Sequence, residues 1–422
     1  MTAAPTRPPL LSLDDALAAL LAKAQPIDGE ETVSTLAADG RVLTHDVLSP
    51  LQVPPQDNSA MDGYAVRCAD VSEPGVVLQV TQRIPAGAVG HALEPLAAAR
   101  IFTGAPIPPG ADAVVMQEDT ELVNACEGGV RIAQVPQPGQ WIRRSGEDVA
   151  RGAVVLRTGQ RLGPAALGLA ASVGAAQVQV RRKLRVALFS TGDELVMPGE
   201  VAPQDMAPGA IYNSNRYFLS ALLHRLGCEV SDLGIVPDQR ERTIAALQSA
   251  ADYHDLILTS GGVSVGEEDH VKPAVQQLGQ LHLWQIAIKP GKPFAYGCVG
   301  RAQPGSAGGY CHFIGLPGNP VSSFVTFMLL VRPFVLRLMG VHDVALTASS
   351  ARADFAWSRP DKRREFLRVR RNGAGGLDLF PNQSSGVLTS AVWADGVVDN
   401  PPGQAIAVGD AVRFITWEQA LL

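Results

Sequence analysis

A chain of 422 residues with 46% hydrophobic residues exceeds the roughly 100–200 residues of one domain, so two to four domains with substantial cores are expected. Its formal net charge of −6 supplies no global cation to hold a polyphosphate backbone, which excludes a general nucleic-acid binder and requires any bound anion to be held locally. Five scattered cysteines with no CxxC pair fit a reducing compartment, so a cytoplasmic protein is expected.

The first element, "LSLDDALAALLAKAQ", reads as an amphipathic helix capped by Ser12. Asp14 and Asp15 stand where a secretory leader would carry basic residues. No uninterrupted apolar run reaches about 18 residues, so no membrane span is expected. Residues 10–48 and 150–182 form one helical and linking subdomain, the second piece returning to pack on the first. Between them, 49–149 is rich in Pro, Gly and short β-branched runs such as "GVVLQVTQRI" and "GADAVVMQE", the pattern of a mostly β insertion module.

From 183 the period changes to strand and helix in alternation. "KLRVALFS" is a continuous apolar strand, and "SNRYFLSALLHRLG" places apolar residues at helical spacing before Gly227. The strands "CEVSDLGIV", "DLILT" and "LHLWQIAI" then alternate with helices, which implies an open α/β sheet over 183–340. A Gly-rich hairpin and a long apolar helix from Pro320 close that domain, and 345–422 reads as a small β-barrel or sandwich. The expected fold class is multidomain α/β plus β, with an open α/β domain, a mostly β insertion and a C-terminal small β-barrel.

Ligands of an open α/β sheet bind at the carboxyl ends of its strands, where loops and helix N-termini direct N–H groups outward. The successive loops there read "STGDEL", "VPDQ", "TSGGVSVGEED", "IKPGKPF" and "GLPGNPVSS". Glycines let backbone approach a phosphate, and Lys289 and Lys292 add charges for oxyanions. Carboxylates beside phosphates repel them unless a cation intervenes, so Glu194, Asp238 and Asp269 suggest Mg²⁺, which takes one or two carboxylates plus phosphate oxygens and water. Glu267 and Glu268 read as helix-start residues that complement the dipole. There is no GxGxxG, P-loop, HExxH or GxSxG signature, which disfavours a simple dehydrogenase, an NTPase, a zinc site and a serine hydrolase.

Seven motifs in order, "SPLQVPPQDNSAMDGYAV", "FTGAPIPPGADAVV", "IRRSGEDV", "LFSTGDEL", "TSGGVSVGEED", "IKPGKPF" and "GLPGNPVS", make the chain similar to the molybdopterin molybdenumtransferases of the MoeA type, related to the C-terminal domain of gephyrin. The resemblance spans nearly the whole chain. It implies an elongated homodimer of four subdomains, with 183–340 as the molybdopterin-binding unit. It also implies an enzyme that inserts molybdate into adenylylated molybdopterin, releasing AMP in a Mg²⁺-dependent step, with a transient contact to the molybdopterin adenylyltransferase.

Position by position, the resemblance assigns the adenylate and its phosphates to Ser260, Gly261, Gly262 and Asp269, with Asp238 nearby, and metal or substrate positioning to Glu194. It places Lys289, Lys292 and Ser322 on the molybdate side with Arg368 and Ser385 of the last domain. Asp62, Thr103, Arg143 and Asp148 belong to a lid given by the partner subunit. On the segment "RPDKRREFLRVRR" alone, Arg368 reads instead as an outward strand residue, and Asp62-Gly63 alone reads as turn chemistry. Gln285 departs from the lysine of several family members but keeps a donor. An adenylyltransferase sharing the SGGxG-type turn, and a scaffold binding molybdopterin without turnover, are the competing expectations. The β modules argue against the first, and the full set of acids and lysines argues against the second.

Overall fold

The computed structural model describes residues 10–123, 128–262, 270–302 and 309–421. The N-terminal helix spans Leu13–Leu21, and Ser12 caps it by accepting from the Asp15 N–H. Glu30–Ser34 pairs antiparallel with Gln177–Arg181, and Val47–Leu48 pairs with Val154–Leu156. Those ladders and the helix Pro164–Ser172 enclose a small core around Leu43, Leu156, Leu162 and Val180. The intervening chain forms a six-stranded sheet from Gly63–Val66 to Gly129–Ile132, with an apolar cluster on each side.

The central sheet consists of β1 (Arg185–Thr191), β2 (Glu229–Val236), β3 (Leu256–Ser260), β4 (Gly279–Gln285), β5 (Pro293–Gly300) and β6 (Tyr310–Leu316), in the order β2-β1-β3-β6-β5-β4. β2, β1, β3 and β6 are mutually parallel, whereas β5 runs antiparallel to both β6 and β4. β4 therefore points the same way as the parallel set, and its carboxyl end joins theirs. Both faces are covered by helices α1 (Asn215–Leu226), α2 (Arg240–Tyr253), α3 (Val271–Leu278), α4 (Pro320–Thr326) and α5 (Arg332–Leu338).

Strand alternation decides which face each helix takes. Val186, Leu188 and Leu258 pack in one cluster with Leu219 and Leu223 of α1 and Phe334 of α5. Ala187, Phe189 and Ile257 face the other way, against Leu247 of α2 and Val275 of α3. α1 ends where Gly227 adopts φ +92°, the left-handed cap for which glycine has no Cβ penalty. The helical run Pro320–Leu338 is long and apolar enough to cross a membrane, but 89% of it is buried inside the protein. Its apolar character is that of a core helix.

In the last domain, Arg364–Arg371, Gly396–Asn400, Ala411–Thr416 and Ser349–Arg352 pair in that order. Leu377–Leu379 pairs with Val369–Arg371, and Leu377 also bridges to Ala353 just after Ser349–Arg352, linking the two ends of this strand order. One edge of Arg364–Arg371 is taken by Ile288–Lys289 from the central domain, which pairs parallel with Arg364 and Glu365. Part of the edge of this sheet thus fastens two domains together.

Candidate active site

A cavity of about 660 Å³ lies at the carboxyl edge of the central sheet. Thr191, Gly192 and Glu194 after β1, Asp238 after β2, Ser260, Gly261 and Gly262 at β3, and Gly318 and Asn319 after β6 all line it. Pro293 at the start of β5 and Gly386 from the last domain complete the wall. Strand-end loops that the sequence spreads over 130 residues thus converge on one space.

Gly261 and Gly262 both take left-handed backbone, with φ of +94° and +66°. A Cβ on Gly261 would lie 2.8 Å from the Thr191 carbonyl oxygen, and one on Gly262 would lie 2.6 Å from Val271 Cγ2. Conformation and space therefore both demand glycine. The Gly261 N–H donates to the Leu316 carbonyl at 3.0 Å, tying the turn to the end of β6. Ser260 is 3% exposed, and its Oγ accepts from Asn215 Nδ2 at 2.6 Å. The same amide nitrogen donates to the Gly318 carbonyl at 2.7 Å, so Asn215 joins two loops of the cradle.

Asp238 lines the cavity together with Glu194. Burial raises the carboxyl pKa of Asp238 above the ordinary range, and the nearby charges of Asp193 and Glu194 raise it further, against a smaller lowering by His270. An ion placed between them would relieve that repulsion. Among the described residues no three His, Cys, Asp or Glu side chains stand close enough to form a complete metal cage. Asp269, with Glu267 and Glu268, falls outside the described residues.

The cations expected on the oxyanion side are placed differently. Lys289 Nζ lies 3.2 Å from Glu365 Oε1 and 3.6 Å from Asp361 Oδ2, so much of its charge is answered by the last domain. Lys292 and Ser322 are not on the cavity wall, and Ser322 is buried within α4. Arg368 is 1% exposed and does not line the cavity. It donates to the carbonyls of Phe366 at 2.9 Å and Ser384 at 3.4 Å, and to Ser390 Oγ at 3.2 Å. With no carboxylate partner among the described residues, burial lowers its guanidinium pKa to about 10. Ser385 accepts the Val321 N–H at 2.9 Å, which sets the loop carrying Gly386 against the start of α4.

The residues expected in a lid lie elsewhere. Asp62 Oδ1 accepts from both the N–H and the hydroxyl of Thr103 at 2.8 Å, and those two bonds hold its carboxyl below the usual range. Arg143 pairs opposite Asn58 in a two-residue ladder, and the Asp148 N–H donates to the Val53 carbonyl. None of the four lines the cavity of its own chain.

Family models match the chain in three successive blocks, described as the MoeA N-terminal region (domain I and II) over 11–174, a probable molybdopterin binding domain over 187–337, and the MoeA C-terminal region (domain IV) over 350–417. A molybdopterin molybdenumtransferase of Haemophilus influenzae is 44% identical over 332 residues, covering 78% of each chain. The chain belongs to the MoeA family of molybdopterin molybdenumtransferases. It is accordingly an enzyme of molybdenum cofactor biosynthesis. Molybdopterin molybdenumtransferase 2 of Mycobacterium tuberculosis is 37% identical over 402 residues, 92% of this chain and 94% of that one. The solved structure of a molybdopterin biosynthesis MoeA protein from Pyrococcus horikosii superposes with a TM-score of 0.72 at 33% identity, covering 97% of this chain and 99% of that one.

Within this MoeA chain the cavity lies wholly on the block matched as molybdopterin-binding, apart from Gly386. Asn213, Asn215 and Asn319 line it too, and sequence reading passed over them. Asn319 carried one usable signal, since it precedes a helix-starting proline. Its side chain makes no cap hydrogen bond, which leaves the amide to the cavity.

Proposed function

We infer that this enzyme inserts molybdate into adenylylated molybdopterin and releases AMP in a Mg²⁺-assisted step. The observation carrying this reading is the Gly261–Gly262 turn, a backbone cradle suited to a phosphate, lining one cavity with Glu194 and Asp238. In this reading Ser260, Gly261 and Gly262 bind the adenylate phosphate, and Asn215 holds two sides of the cradle at fixed separation. Glu194 and Asp238, with Asp269, suit Mg²⁺ because that ion needs only one or two carboxylates when phosphate oxygens and water complete its shell. The upward pressure on Asp238 supports this fit. When bound, the ion neutralises phosphate charge and polarises the phosphoanhydride.

Molybdate, a tetrahedral dianion, is assigned to the side of the last domain, with Lys289, Lys292, Ser322, Arg368 and Ser385. Support comes from Arg368, a buried guanidinium without a carboxylate partner among the described residues, whose field an oxyanion would answer. Asp62, Thr103, Arg143 and Asp148 act in a homodimer on the cavity of the other subunit. The support is that Asp62 and Thr103 are bonded to each other, and that none of the four lines the cavity of its own chain. Transient contact with the adenylyltransferase that makes the substrate belongs to the same reading.

Incubating the purified protein with adenylylated molybdopterin, Mg²⁺ and molybdate tests it. AMP release that requires both protein and molybdate is expected, and substrate that stays intact refutes the reading.

A further inference from the structure

The cavity does not end at Tyr212, Asn213 and Ser214. These residues also form one wall of a second depression of about 480 Å³. Beyond that shared wall the lining turns apolar, with Tyr217 and Phe218 of α1 facing Leu388 and Val392 of the last domain. Val392 is 84% exposed and Tyr217 54%, so carbon surface stands open to water beside the candidate site. The floor is firm. Phe324 of α4 meets Phe218 edge-on with ring centroids 5.6 Å apart.

The shared wall also holds a donor without a use. Asn213 is 2% exposed, its Oδ1 accepts from the Arg216 N–H at 3.2 Å, and its buried Nδ2 has no partner. A buried unpaired donor costs free energy that an acceptor would recover, and Asn213 lines both lobes.

Flat apolar faces with one or two convergent polar groups are what a planar heterocycle needs. We propose that this second lobe receives the pterin ring of the substrate, with the phosphates in the first lobe and Asn213 donating to an acceptor on the ring edge. The inference rests on the reading of the cavity given above. Pterin is favoured over adenine because the lobe is shared with the last domain, the side assigned to molybdate, and molybdate joins the pterin end.

Tyr217→Ala and Val392→Arg change exposed residues, so both variants are expected to fold. Binding of molybdopterin, held anaerobically, and of AMP is measured separately on wild type and both variants. Molybdopterin affinity is expected to fall at least tenfold in each, with AMP affinity within twofold of wild type. Unchanged molybdopterin affinity overturns the second lobe alone, and a parallel fall in AMP affinity reassigns it to adenine. A change in sedimentation on Val392→Arg would make the depression a contact between copies and would also overturn the proposal. A wild type that binds neither molecule refutes the reading of the whole cavity.

Discussion

Asn215 Nδ2 lies 2.6 Å from Ser260 Oγ, with both residues buried, and the same nitrogen reaches the Gly318 carbonyl at 2.7 Å. One amide thus fixes the separation of the loops after β3 and β6, between which the proposed phosphate cradle opens. Asn215→Ala leaves a hydroxyl and a carbonyl short of a donor, at a cost of about 1–3 kcal/mol. Denaturant unfolding should register that loss, and AMP affinity should fall about tenfold or more because the cradle is no longer preorganised. Asn215→Ala binding AMP as wild type would remove Asn215 from the cradle.

Gly262 separates backbone strain from steric exclusion. An alanine at φ +66° pays roughly 1–2 kcal/mol for left-handed geometry, and its Cβ also meets Val271 Cγ2 at 2.6 Å and Thr191 Oγ1 at 2.9 Å. Gly375 has a similar φ of +79°, and a methyl group there would meet nothing within 4 Å. Gly375→Ala is expected to cost only the strain and to keep AMP binding. Gly262→Ala should lose more stability and most of the binding, as isothermal titration of AMP would show. Equal behaviour of the two variants would mean that the close approach at Gly262 has no bearing on the ligand.

Much of this arrangement was legible in the sequence because it depends on local pattern. The cap at Ser12, the end of α1 at Gly227 and the five strand-end loops all follow from periodicity and glycine or proline punctuation within a few residues. What stayed hidden depends on partners far along the chain. Asn215 gains its role from residues 45 and 103 positions away. Lys289 looks like a free loop cation until Glu365, 76 residues later, comes within 3.2 Å. Arg368 sits in a charge-rich segment that suggests an outward strand residue, yet its side chain is enclosed by the Ser384–Ser390 loop. The pairing beside Arg364 and Glu365 was equally illegible, because the strand that provides it, Ile288–Lys289, belongs to the preceding domain.

Asp238 makes a pH prediction whose sign is fixed by its neighbours. Its folded pKa lies above the unfolded value, so the folded state holds the proton more tightly. Between those two values the native protein binds more protons than the unfolded one, and stability falls as pH rises. Asp238→Asn should flatten that loss just above the ordinary carboxylate pKa and leave the protein at least as stable near neutrality. Thermal unfolding with and without Mg²⁺ gives the second arm. The ion should protect wild type and protect Asp238→Asn less, and equal protection would take Asp238 out of the metal assignment.

Arg368 should separate stability from anion binding. Arg368→Met removes three hydrogen bonds but also a buried, unpaired charge, and exchanges of this kind are often close to neutral in stability. The variant is therefore expected to unfold within about 1–2 kcal/mol of wild type. Molybdate should raise the unfolding temperature of wild type and leave Arg368→Met unmoved. A variant that molybdate still protects would make Arg368 only the brace of the Ser384–Gly386 loop.

The lid residues make the strongest claim on assembly. Asp62 is held ionised by Thr103, yet it lies outside the cavity of its own chain. If Asp62 serves the partner's cavity, Asp62→Ala and Asp269→Asn damage different halves of one composite site. Each variant alone should release little AMP. After dissociation and equal mixing, half of the dimers are mixed, and each of these contains one intact composite site. About a quarter of wild-type activity should then return, as a two-fold symmetric dimer requires. Sites complete within one chain would give no recovery, because every cavity would still carry one of the two lesions. Such a result would assign Asp62 to the folding of the lid, where its two bonds to Thr103 already give it a structural task.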